Sequence, residues 1–143
     1  MKVASGILPI AKDTRRICLA WRSKEVKEGN RFSTIGGMLK TGKTPKQSAL
    51  IELDEETGYN GHIELHNAFV CRLTGFQYHN FIGVVPTAFG LRPEEEFKWE
   101  TDFIEWMEYP HINSLMESHP KLFHKGLIQL FHESKALIEA FLE

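Results

Sequence analysis

The chain has 143 residues, 42% of them hydrophobic and 25% charged, enough apolar material for one core of ordinary size. Its formal net charge of -2 is built from both signs along the whole sequence, so there is no broad basic field to hold duplex DNA or RNA. No stretch approaches the ~18 consecutive apolar residues of a membrane span and no apolar segment follows Lys2, so a cytosolic protein without a membrane partner is expected.

Residues 4–11 and 16–22 are apolar or alternating, and the polar Lys12-Asp13-Thr14-Arg15 between them predicts an antiparallel hairpin. A polar stretch over 23–31, with Gly29-Asn30 as a turn signal, leads to Phe32-Ser33-Thr34-Ile35, a short strand expected to end at Gly36-Gly37. The first helix has sharp boundaries. Thr44 offers an N-cap hydroxyl, Pro45 suits the first helical position, Gln47 completes a capping box, and Gly58 supplies the stop. Ala49, Leu50, Leu53 and Thr57 fall on one arc expected to pack, with Glu52, Glu55 and Glu56 on the neighbouring arc.

Strand-like runs follow near 61–73 and 76–89, separated by Thr74-Gly75, and a third near 103–107. Over 120–143 the residues Leu122, Phe123, Leu127, Leu130, Phe131, Leu137, Ile138 and Phe141 form a broad apolar stripe, read as one amphipathic helix covering a sheet face. No repeat or linker divides the chain, so residues 1–143 are expected to form a single α+β domain. Cys18 and Cys71 sit in apolar runs without metal-ligand spacing and are expected to be buried free thiols.

Three carboxylates at i, i+3 and i+4 on one helix face repel one another, and a hard divalent cation would offset that repulsion directly. For an arbitrary Glu-x-x-Glu-Glu a solvated acidic face is the simpler reading, but the surrounding residues change the weighting. From Gly37 to Tyr59 the run GMLKTGKTPKQSALIELDEETGY resembles the Nudix box, G-x5-E-x7-R-E-U-x-E-E-x-G-U with U apolar. Gly37, Glu52, Leu53, Glu55, Glu56 and Gly58 meet the pattern, and Tyr59 meets it loosely.

The resemblance implies a Nudix α/β/α sandwich with a mixed sheet, one box helix and a C-terminal amphipathic helix. It also implies a metal-dependent hydrolase in which water attacks the pyrophosphate linkage of a small nucleotide-like substrate, with Mg²⁺ or Mn²⁺ as cofactor. Glu52, Glu55, Glu56 and the Gly37 carbonyl would be the metal ligands, and Glu55 or Glu100 the general base. Glu100 stands six residues before Trp106, as in many Nudix chains, although Glu94, Glu95 and Glu96 nearby leave an acidic solvated loop as an equal reading. Arg22 corresponds to a substrate-contacting arginine of related enzymes, with a surface salt bridge as its alternative. Family members often form homodimers, so a homodimer is among the assemblies the resemblance admits.

Lys43 stands where the family has Glu, and Ile51 where it has Arg. In relatives that Arg orients a neighbouring glutamate, so its loss leaves open a nucleotide-binding module that does not hydrolyse. The two departures also read as a complementary pair of charges given up together. Because position 43 is Lys, residues 37–44, ending at Thr44, satisfy the P-loop pattern G-x-x-x-x-G-K-[ST] as well. No Walker B aspartate is evident, and neither Pro45 nor the N-terminal hairpin suits that fold. Phe76, Tyr78 and Phe81 read as core aromatics, and the seven histidines, His124 and His132 included, show no metal-ligand spacing.

Overall fold

The hairpin forms from β1 (Lys2–Ala11) and β2 (Ile17–Arg22) in the computed structural model, which describes residues 1–93 and 95–143. The two strands are antiparallel, with Ile10 opposite Ile17, and Arg15 turns the chain at a φ of 57°. Beyond that pairing β1 gains two further neighbours. It runs parallel to β6 (Phe76–Val85) along its whole length, and antiparallel to β4 (Ile35–Met38), with Ala4 opposite Met38 and Ile7 opposite Ile35. A strand enclosed in this way is buried on both faces, which explains why residues 4–11 are nearly continuously apolar rather than alternating.

The remaining strands complete a mixed seven-stranded sheet. β5 (Glu64–Leu73) is antiparallel to β6 through a hairpin at Gly75, and β2 carries both β3 (Phe32–Ser33) and β7 (Thr101–Met107). The strand expected over 32–35 is therefore two pieces. Phe32 and Ser33 pair with β2, whereas Ile35 crosses to β1 and leads through Gly36 and Gly37 into a β4 that ends at Met38, just past the expected end. The β5 and β6 strands are shorter than the runs 61–73 and 76–89, and β7 begins two residues before the expected 103.

Adjacent residues on a strand face opposite sides of the sheet, and this divides the core in two. Leu8, Ile10, Ile17, Leu19, Ile82 and Met107 of the sheet face Ile112, Phe123, Leu127, Leu130, Phe131 and Ile138. Ile7, Cys18, Ala20, Ile35 and Phe81 face Ala49 and Leu53 of α1 (Pro45–Thr57). Helices on both faces of a mixed sheet make the α/β/α sandwich. Among the described residues no helix is long and apolar enough to cross a membrane.

The C-terminal region differs from the single helix expected over 120–143. It comprises α3 (Lys125–Glu133) and α4 (Lys135–Leu142), with α2 (Tyr109–Ser118) before them, a helix the sequence reading missed. The apolar stripe continues across the break because Leu127, Leu130 and Ile138 all reach the same core, while buried Ser134 interrupts helical geometry between them. Pro110 at the start of α2, followed by Ile112, Leu115 and Met116 at helical spacing, was the available signal. His124 caps α3 by accepting from the Gly126 N–H at Nδ1, and its Nε2 lies 2.5 Å from a Glu28 carboxylate oxygen. Cys18 is a buried free thiol and Cys71 a half-buried one.

Candidate active site

The position of α1 follows from its caps. Thr44 Oγ1 accepts from the Gln47 N–H at 3.1 Å, Gln47 Oε1 accepts from the Thr44 N–H at 3.0 Å, and Gly58 closes the helix at φ 80°. With both ends fixed, Ser48, Ala49, Glu52, Leu53, Glu56 and Thr57 turn inward. Two of the three motif carboxylates thus lie on the packed face, whereas Leu50, expected to pack, is 37% exposed.

Glu52, Glu56 and Glu100 converge, each with a carboxylate oxygen within 4.8 Å of the others. Thr101, the first residue of β7, donates to Glu56 Oε1 at 3.4 Å, but Glu56 Oε2 is buried and has no hydrogen-bond partner among the described residues. An orphaned anionic oxygen in such a place is costly unless something cationic meets it. Gly37 lies against the cluster from β4: a Cβ built there would come 2.7 Å from the Glu52 carboxyl carbon, so a side chain would fill the space beside it.

The electrostatics follow from this crowding. Burial, then repulsion from Glu52 and Glu100, raises the Glu56 carboxyl well above the usual range. Burial also raises Glu52, against the pull of Lys40, and burial together with the Glu55 charge raises Glu100. Glu55 stands at the edge of the group. Its carboxylate and that of Glu52 each lie 3.1 Å from the Lys40 ammonium, which these hydrogen bonds hold above its usual range in spite of partial desolvation.

Arg22 is close enough to act electrostatically on Glu56 and Glu100, but its guanidinium donates to the carbonyls of Lys27 and Glu28, at 2.5 and 3.2 Å, and so holds the loop after β2. Glu95 and Glu96 are exposed in a short 3-10 turn; Glu94 lies outside the described residues. Ile51 lines a cleft of about 520 Å³ with Tyr59, Ile63, Phe97 and Glu55, on the outer side of the helix. Lys43 is exposed and forms no ion pair among the described residues.

Tyr78 lies outside both apolar clusters but its hydroxyl is enclosed. Its hydroxyl lies 3.1 Å from Thr34 Oγ1, and burial pushes its pKa up to about 12. Phe81 is in the core as expected, and Phe76 is half-buried. The P-loop pattern at 37–44 is not a phosphate cradle: it begins in a strand antiparallel to β1, and the Thr44 hydroxyl is engaged as the helix cap. Helical spacing grouped Glu55 with Glu52 and Glu56; in the fold Glu55 stands beside Lys40 at the rim, and Glu100, 44 residues beyond Glu56, lies beside Glu52 and Glu56.

Comparison with known proteins agrees with this architecture. A family model described as the NUDIX domain matches residues 1–128. Among solved structures, the Nudix hydrolase RenU from M. smegmatis is similar at a TM-score of 0.76 and 16% identity, over 96% of this chain and 85% of that one. The E. coli dihydroneopterin triphosphate pyrophosphohydrolase is similar at 0.65 and 16%, over 98% and 94%. A bifunctional NMN adenylyltransferase/ADP ribose pyrophosphatase from Francisella tularensis, complexed with AMP and a Mn ion, is similar at 0.65 and 17%, over 98% of this chain and 42% of that one. No curated protein matches the chain by sequence.

Proposed function

This chain belongs to the Nudix family of hydrolases, and from that premise we propose that it is a metal-dependent enzyme cleaving a pyrophosphate linkage in a small nucleotide substrate, with residues 1–143 acting as one unit. The observation that carries the reading is the cluster of buried Glu52 and Glu56 with half-buried Glu100, in which Glu56 Oε2 has no hydrogen-bond partner among the described residues.

The residues present fit a hard divalent cation. All the donors are oxygens, one buried anionic oxygen is unsatisfied, and position 37 leaves space that a side chain would fill. Glu52, Glu56 and the Gly37 carbonyl would hold Mg²⁺ or Mn²⁺, with Glu100 beside them and Glu55 at the edge. When bound, such an ion polarises phosphate oxygens and neutralises their charge.

The protein's own part in the reaction is to place an attacking water and take its proton. Water attacks phosphorus, the bridging P–O bond breaks with its electron pair going to the leaving phosphate, and the water proton passes to a carboxylate. Glu100 suits that role because a general base works best with a pKa near the operating pH, and burial and Glu55 move it in that direction. Glu55 is the other candidate, standing at the rim beside Lys40. Arg22 supports substrate recognition indirectly, by fixing the 23–30 loop next to the carboxylates.

The test is formation of cleavage products (nucleoside monophosphate, phosphate or pyrophosphate) from a nucleotide panel with Mg²⁺ or Mn²⁺. The panel includes ADP-ribose and a pterin triphosphate, compounds suggested by the names of two structural neighbours. Turnover by the native chain that disappears in Glu56→Gln supports the hydrolase. No turnover of any compound, together with nucleotide binding that needs no metal, would show a binding module and make Ile51 the mark of a lost activity.

A further inference from the structure

The helix carries Ile at position 51, where the family pattern has a cation, yet Glu52 and Glu55 are not left unpaired. Lys40 reaches them from the loop after β4, with its ammonium 3.1 Å from each carboxylate. Its backbone is held on both sides. The Lys40 N–H donates to Ser48 Oγ on α1 at 2.8 Å, its carbonyl accepts from the Lys43 N–H at 3.1 Å, and the Leu39 N–H donates to the Val3 carbonyl of β1 at 2.8 Å. Lys40 is therefore anchored to the helix it serves, unlike the exposed Lys43 three residues on. Among the described residues it is the only cationic side chain ion-paired to the carboxylate group.

We infer that Lys40 supplies, from the loop, the positive charge that the helix lacks at position 51, clamping Glu52 and Glu55 in the metal-free protein and giving up Glu52 when a divalent cation takes that carboxylate. Lys40 is a positioning residue in this scheme and a tethered competitor of the metal. The physical basis is simple competition: an ammonium and a divalent ion seek the same Glu52 oxygens, and a tethered cation is always at hand, so metal affinity is set partly by the charge at position 40. The inference rests on the metal-dependent reading above.

The experiment is a Mn²⁺ titration by calorimetry of the native chain, Lys40→Met and Lys40→Arg, with thermal melts of the metal-free proteins and of Glu55→Gln and the Lys40→Met/Glu55→Gln double variant. Lys40→Met is expected to bind Mn²⁺ on the order of fivefold more tightly, since two partly exposed ion pairs are removed from the competition. Lys40→Arg is expected to behave as the native chain, and the melting effects of Lys40→Met and Glu55→Gln to be non-additive. Unchanged or weaker Mn²⁺ binding by Lys40→Met, or tight binding by Lys40→Arg as well, would overturn the competition. If no variant binds Mn²⁺, the metal-dependent reading fails and the displacement fails with it; the clamp is then decided by the melts alone, and additive effects overturn it.

Discussion

On one face of the sheet Leu8, Ile10, Leu19 and Ile82 meet Ile112, Leu127, Leu130 and Ile138 in an apolar contact, whereas on the other α1 lays Ala49 and Leu53 on Ile7 and Ile35 and also turns Glu52 and Glu56 inward. The first face is what hydrophobic burial favours, at roughly 1.5–3 kcal/mol for each large side chain enclosed. The second encloses like charges that burial disfavours. One sheet thus carries a face that stabilises the fold and a face whose internal repulsion must be relieved by protonation or by a cation, which is the usual sign that function outweighed stability locally.

The largest effect should come from breaking the charged face. Glu56→Gln is expected to lower turnover by about a hundred- to ten-thousandfold, as loss of a central catalytic carboxylate does, while the metal-free protein melts no lower than the native one. Product formation and thermal melts measure the two; a large fall in melting temperature would mean that the cluster is structural. On the apolar face, Leu130→Ala should cost about 2–5 kcal/mol in urea unfolding, with activity per folded molecule retained. A loss under 1 kcal/mol there would show that the contact under α3 is looser than described.

Smaller effects refine the contrast. Thr44→Ala removes the cap that orients the carboxylate helix and should cost about 1 kcal/mol, read by chemical denaturation. The pH dependence has a definite sign. Burial raises the Glu52, Glu56 and Glu100 carboxyls in the folded protein, so their contribution to stability is present below the ordinary carboxylate range and lost as pH rises through the raised values. The metal-free native chain should therefore lose melting temperature relative to Glu56→Gln between mildly acidic and neutral pH, and saturating Mn²⁺ should shrink the difference. A difference that grows in the opposite direction would contradict the burial of Glu56.

The box helix was legible because its signals are local: a cap, a proline, a capping-box partner and a glycine stop within fifteen residues, all recovered in the structure. The carboxylates of Glu52 and Glu56 were legible for the same reason, since helical spacing fixes their common side. Local patterns failed where geometry depends on a remote partner. Phe32 and Ile35 look like one strand but pair with different neighbours, and the stripe over 120–143 looks like one helix although Ser134 breaks it against the core.

By itself, then, the sequence determined the presence of a capped, glutamate-bearing helix in a mixed α/β chain, because periodicity and capping act over one or two helical turns. Only the tertiary structure decided that Glu100 joins Glu52 and Glu56, that Arg22 holds a loop, and that Lys40 stands in the carboxylate group. These depend on β7 pairing with β2 and on the β4 loop docking against α1, contacts between segments far apart in the chain whose register no local pattern encodes.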